Sequence, residues 1–224
     1  MSEESGGSEP CFAHQLVGGH VVDPEAARDV AQFRRAERKR LYAERRAVPQ
    51  AETARMSDVV SEALDRLIAP LQGRVIGAYW PIRSELNLIP WMKRAHGAGA
   101  RILLPVVETE RAPLIFRHWE PHCRMERGIW NIPIPAEGDP EIPDIVISPV
   151  VGIDEDLFRL GNGGGYYDRT LASFESMPWV IAVGQPFAQM KTIFPMPWDI
   201  PMTTLVLGDG AIRGRVPGEG APGL

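Results

Sequence analysis

The ten residues Arg159-Leu-Gly-Asn-Gly-Gly-Gly-Tyr-Tyr-Asp168 are the part of the chain best equipped to do chemistry. Gly161, Gly163, Gly164 and Gly165 can enter positive φ and leave successive N–H groups uncovered by side chains, which is how backbone nests and helix N-termini hold anions such as phosphate. Apolar groups at Tyr167, Leu171 and Phe174 recur at helical spacing, so the glycines precede a helix over residues 166–174. Arg159 and Asp168 bracket the loop. A guanidinium suits phosphate oxygens, whereas a carboxylate beside phosphate is repelled unless a cation such as Mg²⁺ lies between them. The combination points to a nucleotide-metal site, with a glycine-rich surface turn and an ordinary ion pair as the bland alternative. Two familiar nucleotide loops do not fit: no Gly-Lys-Ser/Thr ending is present, and Tyr166 stands where the last glycine of G-x-G-x-x-G would fall.

Further candidates are spread along the chain. Arg34 and Arg38 share one helix face, as do Arg35, Lys39 and Arg46, which makes a basic stripe that is either a solvated face or a seat for an anion. Glu85 follows a strand end, where open α/β sheets place their ligand crevices, but Ser84 and Glu85 would equally suit the first turn of a helix. Trp130, in a proline-stiffened loop, is a core plug or a stacking platform for a flat ring. Asp199 in a proline-rich turn is an Asx turn or an isolated ligand carboxylate. His118, His122 and Cys123 have no fourth ligand and no zinc-site spacing.

The elements that must position these groups are legible as hydrophobic periods. Buried strands are predicted over residues 74–80, 101–107, 144–149, 179–184 and 204–207, with a more exposed edge strand over 114–119. Helices are predicted over residues 23–48, opened by Asp23-Pro24, over 56–68 with an apolar i, i+3, i+4 face, and over 86–96. This alternation predicts a three-layer α/β/α sandwich with a largely parallel sheet. With 224 residues, 44% of them apolar, the chain can bury one such core. The net charge of −5 argues against nucleic acid as a partner, and residues 28–46, with eight basic and three acidic residues, carry +5 and leave the remainder at −10. Cys11 and Cys123 form no disulfide framework, and neither a signal peptide nor an 18-residue apolar span is visible, so a cytoplasmic protein with no membrane partner is expected.

The run Arg-Leu-Gly-x-Gly-x-Gly-Tyr-Tyr-Asp closely resembles the signature of the 5-formyltetrahydrofolate cyclo-ligase family, also called methenyltetrahydrofolate synthetases. The resemblance extends over about residues 34–207. It implies the fold of the sugar-phosphate isomerase and CoA-transferase group, and cyclisation of 5-formyltetrahydrofolate to 5,10-methenyltetrahydrofolate with ATP as co-substrate and Mg²⁺. It implies that Arg34 and Arg38 hold ATP phosphates, with Arg35 and Lys39 as the alternative register. Arg159, Leu160, Gly161, Asn162, Gly163, Gly164, Gly165, Tyr166 and Tyr167 would form the rest of the ATP site. Tyr79, Pro81 and Glu85 match a folate-pocket segment, with Trp80, Trp130, Asn162 and Tyr166 lining the same side. Asp168 and Asp199 would hold the metal, while Arg159 and Tyr166 are the expected catalytic groups and no side-chain nucleophile is expected. Trp198 and Thr203 replace a histidine and an aspartate common in the family. The expected organisation is a partly disordered extension over residues 1–22, one domain over 23–208 and a flexible tail over 209–224, in a monomer or homodimer. A paralogue with the same ATP loop and another substrate, and a non-catalytic folate- or nucleotide-binding module, are the rival readings.

Overall fold

The computed structural model describes residues 15–17 and 20–214; expectations for the remainder of the extension, Cys11 included, and for the end of the tail lie outside them. A seven-stranded sheet forms the centre: β1 (Val75–Gly77), β2 (Arg101–Val106), β3 (Ile115–Trp119), β4 (Ile145–Pro149), β5 (Trp179–Gly184), β6 (Thr204–Leu207) and β7 (Ile212–Gly214). Their spatial order is β7-β6-β5-β4-β1-β2-β3. The five inner strands are parallel, and β3 and β7 close the edges antiparallel.

Branched apolar runs make the inner strands, because both faces of a parallel sheet are covered and every position must tolerate burial. Ile145, Ile147, Ile181 and Val183 pack with α2 (Gln50–Ile68) and α3 (Ile89–Gly97), while Val146, Val180, Ala182 and Leu205 pack on the other face with Leu171 of α4 (Tyr166–Ser173). The result is the expected three layers.

Helix α1 (Pro24–Ala47) is different. Asp23 caps it, its carboxylate accepting the Glu25 N–H at 2.8 Å, and it stops before Pro49 as the sequence predicts. It buries only Leu41 and Arg45. Leu41 joins Val151, Leu160 and Ile193, so α1 lies across loops at the carboxyl end of the sheet.

The chain goes from β1 to β2 on one side, then returns past β1 to β4 on the other. Strand order therefore reverses between β1 and β4, and the loops leaving these strands splay apart into the crevice where α/β sheets bind ligands.

Several boundaries differ from the sequence reading, among them the start of α2, at Gln50 in place of residue 56. Strand β1 ends at Gly77, because the chain turns out of the ladder toward the crevice. Helix α3 starts only at Ile89, whose N–H is accepted by the Asn87 side chain at 3.1 Å, so Ser84 and Glu85 are not in a first turn. Ile212–Gly214, expected in the flexible tail, pairs with β6. Near the other end, Gln15–Val17 and His20–Val22 form a small antiparallel pair.

Candidate functional site

The glycine loop enters from a two-residue strand, Arg159–Leu160, paired antiparallel to Gly152–Ile153, and ends as the N-terminus of α4. Gly163 (φ +99°) and Gly165 (φ +64°) occupy left-handed backbone conformations, which cost a residue with a Cβ about 1–2 kcal/mol. A Cβ at Gly163 would stand 3.5 Å from the Arg38 guanidinium carbon, an ordinary contact, so it is the positive φ and not the space that calls for glycine here.

Three arginines surround this loop, in different states. Arg34 donates to the Ile193 and Phe194 carbonyls at 2.9 and 2.8 Å and forms a two-pronged ion pair with Asp199. Arg159, 9% exposed, donates to Asp168 Oδ2 at 2.9 Å and lies 4.8 Å from the Tyr167 ring centroid. Arg38 donates to the Gly161 carbonyl at 2.7 Å and has no carboxylate in contact among the described residues. Burial, and then repulsion from Arg34, lower its pKa. An ionised, desolvated guanidinium facing a glycine nest is a place for an anion. Arg35 and Lys39 are exposed, whereas Arg34 and Arg38 line the same cavity as the glycine loop.

The two acids lie side by side. Asp168 accepts the Ile200 N–H at 3.3 Å on its second oxygen, which ties it to the turn carrying Asp199. Asp199 also accepts the Met196 N–H at 2.6 Å, so the turn-capping reading of this residue is part of its geometry. No group of three or more His, Cys, Asp or Glu residues suited to a metal exists among the described residues, and His118, His122 and Cys123 form none. Two carboxylates nonetheless meet the demand of Mg²⁺, a hard cation that commonly takes one or two carboxylates and fills its shell with phosphate oxygens and water.

Opposite the glycines, a turn at residues 82–85 presents Glu85. Its N–H donates to the Ile82 carbonyl at 2.9 Å, and its carboxylate accepts the Ile82 N–H at 3.0 Å. Arg83 (φ +48°) and Ser84 (φ +58°) are left-handed without being glycine, and Gln185 pins the turn by donating to the Ser84 carbonyl at 3.0 Å. Glu85 is 7% exposed. Burial pushes its carboxyl up to about 7, against the opposing pull of the Ile82 N–H, Arg45, Asn162 and Arg83.

Trp130 is 63% exposed and also left-handed, at φ +57°, which rules out the core plug. Its ring meets Tyr166 edge-on, with centroids 5.4 Å apart. Trp80, Glu85, Trp130, Tyr166 and Tyr167 on one side, and Arg34, Arg38, Arg159, the loop 161–165, Asp168 and Asp199 on the other, line a single cavity of about 590 Å³. That is within the ordinary range of small-molecule binding sites.

Leu160 is the exception among the expected ATP-site residues. Its side chain is 1% exposed and packs with Leu41, Val151 and Ile193, because strand alternation turns it away from Arg159. Sequence reasoning missed Arg83 and left Trp198 without a role, though both line the cavity. It also missed Tyr42, whose hydroxyl accepts from Arg83 at 3.2 Å and hydrogen-bonds the Asn162 side-chain oxygen. Helical spacing could have found Tyr42, four residues after Arg38.

Comparison with known proteins gives one consistent result. A sequence model of the 5-formyltetrahydrofolate cyclo-ligase family matches residues 30–208. A protein of Mycolicibacterium smegmatis named 5-formyltetrahydrofolate cyclo-ligase is 33% identical over 177 residues, covering 74% of this chain and 89% of that protein. A namesake from Escherichia coli K12 is 25% identical, covering 72% of this chain and 93% of its own. The solution structure of 5,10-methenyltetrahydrofolate synthetase from Aquifex aeolicus superposes with a TM-score of 0.72 at 26% identity, covering 85% of this chain and 97% of that one.

Proposed function

The chain belongs to the 5-formyltetrahydrofolate cyclo-ligase family, and we propose on that premise that it closes 5-formyltetrahydrofolate to 5,10-methenyltetrahydrofolate while converting ATP to ADP and phosphate. The observation that carries this reading is that one cavity at the strand-order reversal is lined by the glycine loop with its arginines and also by the buried Glu85 carboxylate and two tryptophans.

A formamide oxygen is a poor leaving group. The reading solves this by transfer of the γ-phosphoryl group to that oxygen. N10 then attacks the activated carbon, phosphate departs with the oxygen, and the N10 proton is released. Phosphoryl transfer asks a protein for alignment and charge neutralisation more than for covalent help. The N–H groups of residues 161–165 would hold phosphate oxygens. Arg38, free of any carboxylate, would meet them directly. Arg34 and Arg159 each face an aspartate across an ion pair, so they would fix those carboxylates while offering their remaining N–H groups to phosphate. Mg²⁺ bound by Asp168 and Asp199 would supply further neutralisation of the phosphate charge. Asn162 and Tyr166 stand between the two halves, where nucleotide and folate would meet, while Trp80, Glu85 and Trp130 would flank the pterin. The working unit would be residues 23–208. Its substrates are small and water-soluble, no described helix is long and apolar enough to cross a membrane, and a cytoplasmic site of action fits.

The test is direct. Purified protein with 5-formyltetrahydrofolate, ATP and Mg²⁺ is expected to develop methenyl absorbance in step with ADP release. ATP binding without any turnover of this folate would overturn the assignment in favour of another substrate or a binding role.

A further inference from the structure

Arg45 lies two turns beyond Arg38 on α1, and nothing in the proposed reaction uses it. It is 2% exposed. Its Nη2 donates to the Val150 carbonyl at 2.6 Å, while Nε and Nη1 have no acceptor among the described residues. It touches no carboxylate. A leucine would fill this volume without the cost of burying a charge, so a guanidinium here calls for an electrostatic reason.

Among the described residues, the carboxylate whose charge acts on Arg45 is that of Glu85. The influence is mutual: Arg45 holds the Glu85 carboxylate more strongly than does Arg83, which is only two residues away in sequence. Arg83 opens to solvent, and water screens it, whereas Arg45 and Glu85 are both buried and interact through a medium of low polarizability. A side-chain series also joins them. The Arg45 and Arg83 guanidinium carbons lie 5.9 and 5.6 Å from the Tyr42 ring centroid. The Tyr42 hydroxyl bonds the Asn162 side chain, which in turn favours the Glu85 carboxylate. With its oxygen held by Tyr42, the Asn162 amide has its NH₂ left for the carboxylate.

The other ionisable groups facing Glu85 are phenols. Tyr79, at the end of β1, donates to the Leu86 carbonyl at 2.7 Å, and Tyr167 comes from the first turn of α4. Burial raises both, so they stay neutral. Glu85 is therefore balanced between burial, which favours its proton, and the Ile82 N–H together with two cations, one of them screened.

We propose that Arg45 is a positioning residue of the substrate pocket: a counter-ion set one layer behind the wall that favours the ionised form of Glu85, so that the carboxylate can accept N–H groups of the bound ring. The role rests on the reading that the folate ring occupies this half of the cavity. Without Arg45 the burial remains and the stronger cation is gone, so Glu85 would keep its proton to higher pH and present a donor where the ring also presents donors. Arg45 needs no contact with substrate to do this.

The experiment reads Glu85 itself, in the free protein. The side-chain carboxyl titration is followed by NMR with ¹³C-labelled glutamate, Glu85→Gln identifying the resonance. Wild-type protein is expected to titrate near 7. Arg45→Met, which fills the volume without a charge, is expected to move the midpoint up by about one unit or more, and Arg45→Lys to leave it within about half a unit. An unmoved midpoint in Arg45→Met overturns the proposal. Should that variant not fold, a departure of a unit or more in Arg45→Lys overturns it as well. These outcomes hold whatever the substrate proves to be. With 5-formyltetrahydrofolate as substrate, Arg45→Met is expected to raise KM severalfold at pH 7 and to approach wild type at pH 9, with kcat little changed. A KM defect constant from pH 7 to 9 would make Arg45 merely structural.

Discussion

The two halves of the cavity obtain the same backbone conformation by opposite means. On the phosphate side, positive φ falls on Gly163 and Gly165, where it is nearly free of strain. On the ring side it falls on Arg83, Ser84, Trp130 and Asn131, at about 1–2 kcal/mol for each residue with a Cβ. The glycine half offers backbone N–H groups and needs bare peptide. The ring half offers side chains, and a glycine in its turns could not supply the arginine, the indole or the amide they carry. Strain there is held by hydrogen bonds from outside, such as Gln185 to the Ser84 carbonyl and the Gly128 N–H to the Ile132 carbonyl at 2.9 Å.

Breaking each half separately tests whether the division is real. The largest effect is expected on the phosphate side: Asp168→Asn should cut Mg²⁺-dependent turnover by about 100-fold or more while circular dichroism remains that of the wild type. Unchanged turnover would place the metal elsewhere. Next comes Glu85. Its folded pKa of about 7 lies above the ordinary value of 4.5, so the folded state binds the extra proton. Stability from this group is complete below pH 4.5 and is lost as pH rises through 7. Glu85→Gln should therefore flatten the fall in stability between pH 5 and 8, a difference on the order of 3 kcal/mol at most, measured by urea unfolding. An equally steep fall in the variant would contradict the buried carboxylate.

Two smaller effects sharpen the contrast. Gly163→Ala should raise KM for ATP about tenfold and leave KM for folate near wild type, since a residue with a Cβ is strained at φ +99° and would shift the loop. Trp130→Ala should do the reverse, raising KM for folate by up to about tenfold, and shift stability by less than about 0.5 kcal/mol because the ring is mostly exposed. If either variant moved both KM values together, the halves would not be separable.

The same contrast decides what could be read from the chain alone. The glycine run, the Asp23-Pro24 cap and the branched strands announce themselves, because each is a local rule written in residue type. The ring half is set largely by tertiary contacts: the turn at 82–85 contains no glycine or Asx signal, and beside its own Ile82–Glu85 bonds it is held by Gln185, a hundred residues away, and by Tyr42. Trp130 stays open between core plug and stacking platform on its residue type alone, because aromatic content says nothing of which way a loop faces. Leu160 was grouped with the ATP site by its place in a motif, yet alternation in a two-residue strand turns it inward. Arg45 hides in a stripe of eight basic residues. Its type is that of its neighbours, and only the packing of α1 over the loops separates the buried guanidinium from the solvated ones.

The central claim is that both halves serve one reaction, with the formyl oxygen of one ligand meeting the terminal phosphate of the other. Carbonyl-¹⁸O-labelled 5-formyltetrahydrofolate, turned over with unlabelled ATP in unlabelled water, measures this most directly. One ¹⁸O atom is expected in the inorganic phosphate for each methenyl product formed. Unlabelled phosphate, with the heavy oxygen recovered in water, would mean that the γ-phosphoryl group never reached the formyl oxygen.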